Sequence, residues 1–184
     1  LLHHHIDNLV KCGFKKIFIT AYHDIKGIED AVKDYPVSIL KEKKLIDTGT
    51  ACSVIMEGEM MRKALIIYGD TYFDPKVYND MAKLYKRDNE DYIMVQPLSR
   101  KHDYTTGLVV YNKTGKVKYV CENGGLDCLR SREVVGKNAG MLILKKFCMC
   151  KGDLMKDLLP KNNNLMAHKV AGYWKDIGTL DNYI

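Results

Sequence analysis

Apolar positions along the chain follow two rhythms, and their alternation sets the expected elements. Leu1, Leu2, Ile6, Leu9 and Val10 recur near the helical repeat, and Gly13 follows where a helix ends. The chain is therefore expected to begin inside an amphipathic helix. "KKIFIT" (15–20) is a short β-branched and aromatic run that reads as a buried strand. In "DIKGIEDAVKDY" (24–35), Ile25, Ile28, Val32 and Tyr35 return to helical spacing, and Pro36 stops the helix. "VSIL" (37–40) is a second strand. "TGTACSVIMEGEMM" (48–61) reads as a loop feeding a helix, and "KALIIYGD" (63–70) as a third strand ending in Gly69-Asp70. Asp74-Pro75 opens a further helix with Val77, Met81, Leu84 and Tyr85 as its apolar positions, and "DYIMVQPL" (91–98) is a fourth strand.

Strands alternating with helices at this pitch predict βαβ units and a mainly parallel sheet. The second half differs. "TGLVVYNKTGKVKYVCE" (106–122) holds two short strands around Asn112 to Gly115, a hairpin signal. "NAGMLILKKF" (138–147) and "LMAHKVAGYWKDIG" (165–178) each add a strand. No linker, repeat or low-complexity segment divides the chain. Residues 1–184 read as a single α/β domain, parallel in its first half and more antiparallel in its second.

With 184 residues the chain is long enough to bury a sizeable core. No apolar run approaches the ~20 residues of a membrane span, so a soluble, cytoplasmic protein is expected. The net charge of +6 comes from lysines spread over the whole chain. Nucleic acid would favour a concentrated basic stripe, so this pattern suits anionic small molecules better. The six cysteines sit mostly in apolar stretches and read as reduced, buried thiols. Cys148-Met-Cys150 lacks the C-x₂-C spacing of a zinc site. His3, His4 and His5 point about 100° apart on a helix, so they cannot converge on one ion.

Ligands of open α/β sheets bind beyond the carboxyl ends of the strands. Three features should meet there. Asp70 follows "LIIYG", where a carboxylate can hold a hard cation. "IDTGTA" (46–51) presents backbone N–H groups at a helix start, suited to a base edge or a phosphate. "GYWKDIGT" (172–179) puts Asp176 beside an aromatic residue and a Gly-Thr turn. Each has a plainer explanation: a turn cap, an ordinary helix start, an Asp-anchored turn.

Taken in order, these stretches resemble the sugar-1-phosphate nucleotidyltransferases, the NDP-sugar pyrophosphorylase family. "LLHHHIDNLVKCGFKKIFI" is similar to the family's first long helix and second strand, a likeness that implies His3 to His5 are native helix surface, and "EKKLIDTGTA" is similar to its acidic residue and small-residue loop. "LIIYGDTYFD" and "YTTGLVVYNKTGKV" resemble its Gly-Asp strand end and its hairpin. "NAGMLIL" and "GYWKDIGTLDNY" are the most specific matches, and the likeness spans essentially the whole chain. It implies a Rossmann-like three-layer domain whose antiparallel half binds the sugar. It also implies Mg²⁺-dependent transfer of a nucleotidyl group from an NTP to a sugar 1-phosphate, releasing pyrophosphate, as in glycan precursor synthesis. By the same resemblance, Asp70 and Asp176 hold Mg²⁺. Thr48, Gly49 and Thr50 lie against the base. Gly107, Glu122, Asn138, Ala139 and Gly140 contact the sugar.

Two departures accompany the likeness. The family's hairpin often ends in Glu-Lys-Pro, whose Lys binds the sugar phosphate; here "CENGG" places Asn123 there, and Lys137 is the candidate substitute. The family also begins with a strand and a Gly-rich loop carrying an Arg, followed by a Pro-Lys pair. None of these is in the sequence, and the family's last helix is cut at "LDNYI". The domain is therefore expected to be truncated at the N-terminus and at the C-terminus, and inactive alone. The alternative is a non-catalytic pyrophosphorylase-like regulatory or scaffold domain. The loop "IDTGTA" and "GDTYFD" lean towards guanylyl and uridylyl transfer over thymidylyl. Family members often dimerise, which leaves a homo-oligomer open. No nucleic-acid or membrane partner is expected.

Overall fold

The computed structural model describes all residues except 43, 45–46, 60–61, 88, 99–106, 122–132, 146–151 and 179–184. Helix α1 (Leu2–Lys11) ends just before Gly13, whose φ of +85° is the left-handed conformation that closes a helix. Strand β1 (Ile17–Ala21), helix α2 (Ile25–Val32) and strand β2 (Val37–Lys41) follow. Asp24 caps α2 by accepting from Gly27 N. Strands β1 and β2 pair in parallel, from Ile17 opposite Val37 to Ala21 opposite Lys41, which makes the expected βαβ unit.

Helix α3 (Thr48–Gly58) leads to β3 (Ala64–Ile67), then β4 (Thr71–Phe73) and α4 (Pro75–Arg87). The remaining strands are β5 (Asp91–Pro97), β6 (Leu108–Tyr111), β7 (Val117–Cys121), β8 (Val134–Leu144), β9 (Leu165–Lys169) and β10 (Trp174–Asp176). The larger sheet is organised around β8. Along one side, β8 pairs antiparallel with β6 in its first half and with β3 in its second. Its other side pairs antiparallel with β5, which pairs in parallel with β9. The sheet is thus mixed, and its antiparallel character reaches beyond the hairpin along the whole of β8.

Alternation along β8 builds two cores. Met141 and Ile143 pack with Val77, Tyr78 and Met81 of α4. Leu142 and Leu144 face the opposite way, against Leu154, Met155 and Leu159. Helices on one face, sheet, and helical segments on the other give the three layers expected of the fold.

Three details differ from the sequence reading. The single strand expected over 165–178 is two, β9 and β10. Between them Asp74 and Tyr173 exchange backbone and side-chain hydrogen bonds, Asp74 N donating to Tyr173 O and Tyr173 N to Asp74 Oδ2, both at 3.0 Å. This pins β10 to the start of α4 and away from the larger sheet. Second, His3 is exposed and stacks on Tyr35, whereas His4 is half-buried, stacked on Tyr72 with its Nε2 hydrogen-bonded to Phe73 O at 2.7 Å, and His5 is buried with its Nδ1 hydrogen-bonded to Tyr78 Oη at 2.5 Å. Third, Cys12 and Cys52 are free thiols as expected, whereas Cys121 is disulfide-bonded. Among the described residues no helix is long and apolar enough to cross a membrane.

Candidate functional site

The site grows from the short antiparallel ribbon of β4 and β10. Its register sets Thr71 opposite Asp176 and Phe73 opposite Trp174. Phe73 is fully buried and anchors the ribbon on the α4 core. Just beyond the paired residues, Ile177 N donates to Asp70 O at 2.8 Å. Two aspartates more than a hundred residues apart in sequence are thereby held side by side. Gly178 N donates to Asp176 Oδ1 at 2.9 Å and so fixes that carboxylate. A Cβ on Gly178 would lie 2.7 Å from Asp70 Oδ2 and 3.3 Å from Asp176 Oδ1. Both carboxylates therefore close on one point, which only glycine leaves free.

The small-residue loop stands at the start of α3. Gly49 is buried, and its carbonyl accepts from Ser53 Oγ. The threonine hydroxyls are engaged by a distant segment. Thr50 Oγ1 accepts from Gly152 N at 3.0 Å, and Thr48 Oγ1 accepts from Leu154 N at 3.3 Å. That segment turns into a short helical piece, Leu154–Leu158, capped by Asp153, which accepts from Met155 N and Lys156 N. These hydroxyl oxygens thus position a neighbouring segment, and of the three residues only Thr48 is exposed.

The Asn-Ala-Gly motif lies on β8 where the register with β5 shifts, between Ile93 opposite Leu142 and Val95 opposite Asn138. This bulge re-aims the strand. Asn138 bridges three elements. Its N donates to Gly107 O at 2.8 Å, its Oδ1 accepts from Gly140 N at 3.0 Å, and its Nδ2 lies 3.2 Å from Met155 Sδ. Ala139 is wholly buried in the α4 core. Gly140 has φ +79°, and a Cβ there would lie 2.9 Å from Thr71 Oγ1. The motif is thus welded to the ribbon that carries Asp70. Glu122 and Asn123 lie outside the described residues.

Sequence reasoning missed Gln96. It stands opposite Lys137 in the β5–β8 register, and its Oε1 accepts from Trp174 Nε1 at 2.6 Å. Lys137 therefore lies on the sheet face that carries the β10 ribbon.

The donor set suits a hard divalent cation in part. Neither Asp70 nor Asp176 makes an ion pair among the described residues, so the two negative charges stand close together without a cationic side chain to offset them. No group of three or more His, Cys, Asp or Glu side chains gathers among those residues to hold a metal with protein ligands alone. Two carboxylates and several open positions are what Mg²⁺ takes when substrate phosphates and waters complete its shell.

No protein-family model and no curated protein matches this sequence. Solved structures do match its fold. HddC from Yersinia pseudotuberculosis is 23% identical with a TM-score of 0.74, and the match covers 99% of this chain and 81% of that one. The same protein complexed with GMP-PN gives 24% and 0.73. A UDP-glucose pyrophosphorylase complexed with UDP-glucose is 14% identical with a TM-score of 0.76, over 100% of this chain and 83% of that one. The inositol-1-phosphate CTP transferase from T. maritima is 13% identical with a TM-score of 0.73, over 98% and 77%. The chain shares the fold of the NDP-sugar pyrophosphorylase type of nucleotidyltransferase.

Proposed function

We propose that this domain serves a sugar-1-phosphate nucleotidyltransferase, joining an NTP and a sugar 1-phosphate into an NDP-sugar with release of pyrophosphate. The observation that carries the reading is the meeting of Asp70 and Asp176 at Gly178. A scaffold has no chemical need for two carboxylates held side by side with no cationic side chain between them, whereas a hard divalent cation takes oxygen ligands of this kind.

The bonds balance without a covalent intermediate. A phosphate oxygen of the sugar 1-phosphate forms a bond to the α-phosphorus of the NTP, and the bond from that phosphorus to the bridging oxygen of pyrophosphate breaks. Such a displacement asks the protein for alignment and charge compensation. Asp70 and Asp176 would hold Mg²⁺, which supplies Lewis-acid stabilisation of phosphate oxygens when bound. The backbone of Thr48, Gly49 and Thr50 would meet the base, while Gly107, Asn138 and Gly140 would shape the sugar pocket. Ala139 would support that pocket from the core side. Lys137, on the face of the β10 ribbon, would take the sugar phosphate.

HddC was solved with GMP-PN, so guanine nucleotides are the first to try. The test is a matrix of four NTPs against hexose 1-phosphates, with pyrophosphate release measured for the full-length gene product. Turnover is expected, with a loss on the order of a hundredfold in Asp70→Asn and Asp176→Asn. A full-length gene product that turns over no pair and binds Mn²⁺ no better than its Asp176→Asn variant would overturn the reading.

A further inference from the structure

Gln96 ties the larger sheet to the β4–β10 ribbon. Its Oε1 accepts from Trp174 Nε1 at 2.6 Å. An indole can only donate, so the amide is held with its oxygen towards Trp174 and its NH₂ group turned away. Gln96 is half-buried and makes no other side-chain hydrogen bond among the described residues. Its Nε2 is not among the sealed polar atoms of those residues, so the two amide N–H donors stand open to whatever enters from solvent.

The neighbours of those donors narrow what they can meet. Lys137 stands directly opposite Gln96 in the β5–β8 register, so the two side chains share one face of the sheet, with Cβ atoms about 5 Å apart. Met94, two residues before Gln96, and Ala139, two residues after Lys137, are both buried in the α4 core, and Trp174 packs against that same core. Trp174 and Asp176 are two residues apart in β10 and so lie on one side of that strand. An ammonium group, like the amide NH₂, only donates. Lys137 and the Gln96 NH₂ therefore cannot serve each other. An anion with several oxygens can be reached by both, and a charged donor beside a neutral one favours phosphate over a hydroxyl group.

We propose that Gln96 is a substrate-binding residue whose amide N–H donates to a phosphate oxygen of the sugar 1-phosphate, next to the Lys137 ammonium. Trp174 is its positioning residue. By claiming the amide oxygen it prevents the side chain from turning over and presenting an acceptor to the anion. The same strand carries Asp176, so the donors for the phosphate and the carboxylate for the cation are set by one ribbon. The choice of ligand rests on the reaction proposed above, while the orientation of the amide rests on the bond to Trp174 alone.

Gln96→Glu separates a substrate contact from a structural strut. It keeps an oxygen for Trp174 and replaces the donor by a second, negatively charged oxygen. Gln96→Met removes both at similar length. The full-length gene product is titrated with glucose 1-phosphate, mannose 1-phosphate and inorganic phosphate, with methyl glucoside as the uncharged control, and the Gln96 side-chain amide is followed by ¹⁵N NMR. A saturable shift is expected with at least one of the phosphates and none with methyl glucoside. Binding should weaken roughly tenfold in Gln96→Met and roughly thirtyfold in Gln96→Glu, because the latter adds repulsion, with Tm of Gln96→Glu kept within about 2 °C. Trp174→Phe should weaken it about threefold by freeing the amide to turn. A Gln96 amide unmoved by every phosphate, an equal shift with methyl glucoside, or a Gln96→Glu variant that binds as tightly as wild type would each overturn the proposal. Turnover of an NTP and a sugar phosphate with an unmoved Gln96 amide would sink this inference alone. A shifted amide in a protein that turns over no pair would count against the transfer reaction alone.

Discussion

Replacing Gly178 by Ala separates binding from stability. Gly178 does not occupy the left-handed region, so Ala adopts its backbone without strain. The added methyl meets Asp70 Oδ2 at 2.7 Å and Asp176 Oδ1 at 3.3 Å, and ordinary contact begins near 3.4 Å. Asp70 must move by several tenths of an ångström. Its side chain is exposed, so it can swing outward at little cost. The fold should lose no more than about 0.5 kcal/mol, a shift of about 1–2 °C in Tm. A hard cation is less tolerant. Mg²⁺ demands oxygens near 2.0–2.1 Å in octahedral array. Displacing one of two protein ligands should weaken its binding on the order of tenfold, or about 1.4 kcal/mol. Titration with Mn²⁺ followed by electron paramagnetic resonance gives the affinity, and calorimetry gives Tm. Unchanged Mn²⁺ affinity would refute joint use of the two carboxylates. A fall of more than 5 °C in Tm would show instead that Gly178 is a packing residue.

Gly140→Ala should destabilise by about 2–3 kcal/mol, because φ +79° strains any side chain and the new Cβ would press on Thr71 Oγ1 at 2.9 Å; urea melts check this, and a loss under 1 kcal/mol would count against it. Burial lowers the His5 pKa from 6.5 to about 4, with the charges of His4 and the N-terminus acting in the same direction. The unfolded chain therefore binds this proton first, so the His5 contribution is full above pH 6.5 and is lost as pH falls towards 4, by up to about 3 kcal/mol. Urea midpoints of wild type and His5→Gln at pH 7 and pH 4.5 should converge at the lower pH, and parallel losses would refute it. In the full-length gene product, Lys137→Ala should raise KM for the sugar phosphate about tenfold with little change in kcat, with partial recovery in Lys137→Arg. An unchanged KM would remove Lys137 from the phosphate site.

Helix α4 was legible because Asp74-Pro75 marks its start and Val77, Met81 and Leu84 repeat at helical spacing, and all three are buried. The burial of His5 was legible too, had the helix face been drawn fully: Leu2, His5, Ile6 and Leu9 share one stripe. Strand β8 could be located at "NAGMLIL" but not bounded, since it reaches back to Val134 through pairing with β6, which is a tertiary choice. Strand β4 spans three residues, too few for any period to register, and β10 is defined only by its pairing with β4. For the site, Asp70 and Asp176 could be named from local sequence, but their convergence could not. It depends on a register between strands a hundred residues apart. Gln96 carried no signal at all, because its orientation is set by a single contact with Trp174. The engagement of Thr48 and Thr50 by residues 152–154 was equally invisible.

The β4–β10 ribbon has a bearing on how the protein is made. Asp70 leaves the ribosome long before Asp176, and the register that brings them together needs Trp174 to Asp176 in place. Until those last residues emerge, the nascent chain carries a solitary carboxylate on an unpaired three-residue strand. A cation held jointly by the two carboxylates would therefore have to await synthesis through Gly178, since a polypeptide released earlier has only one of them in place.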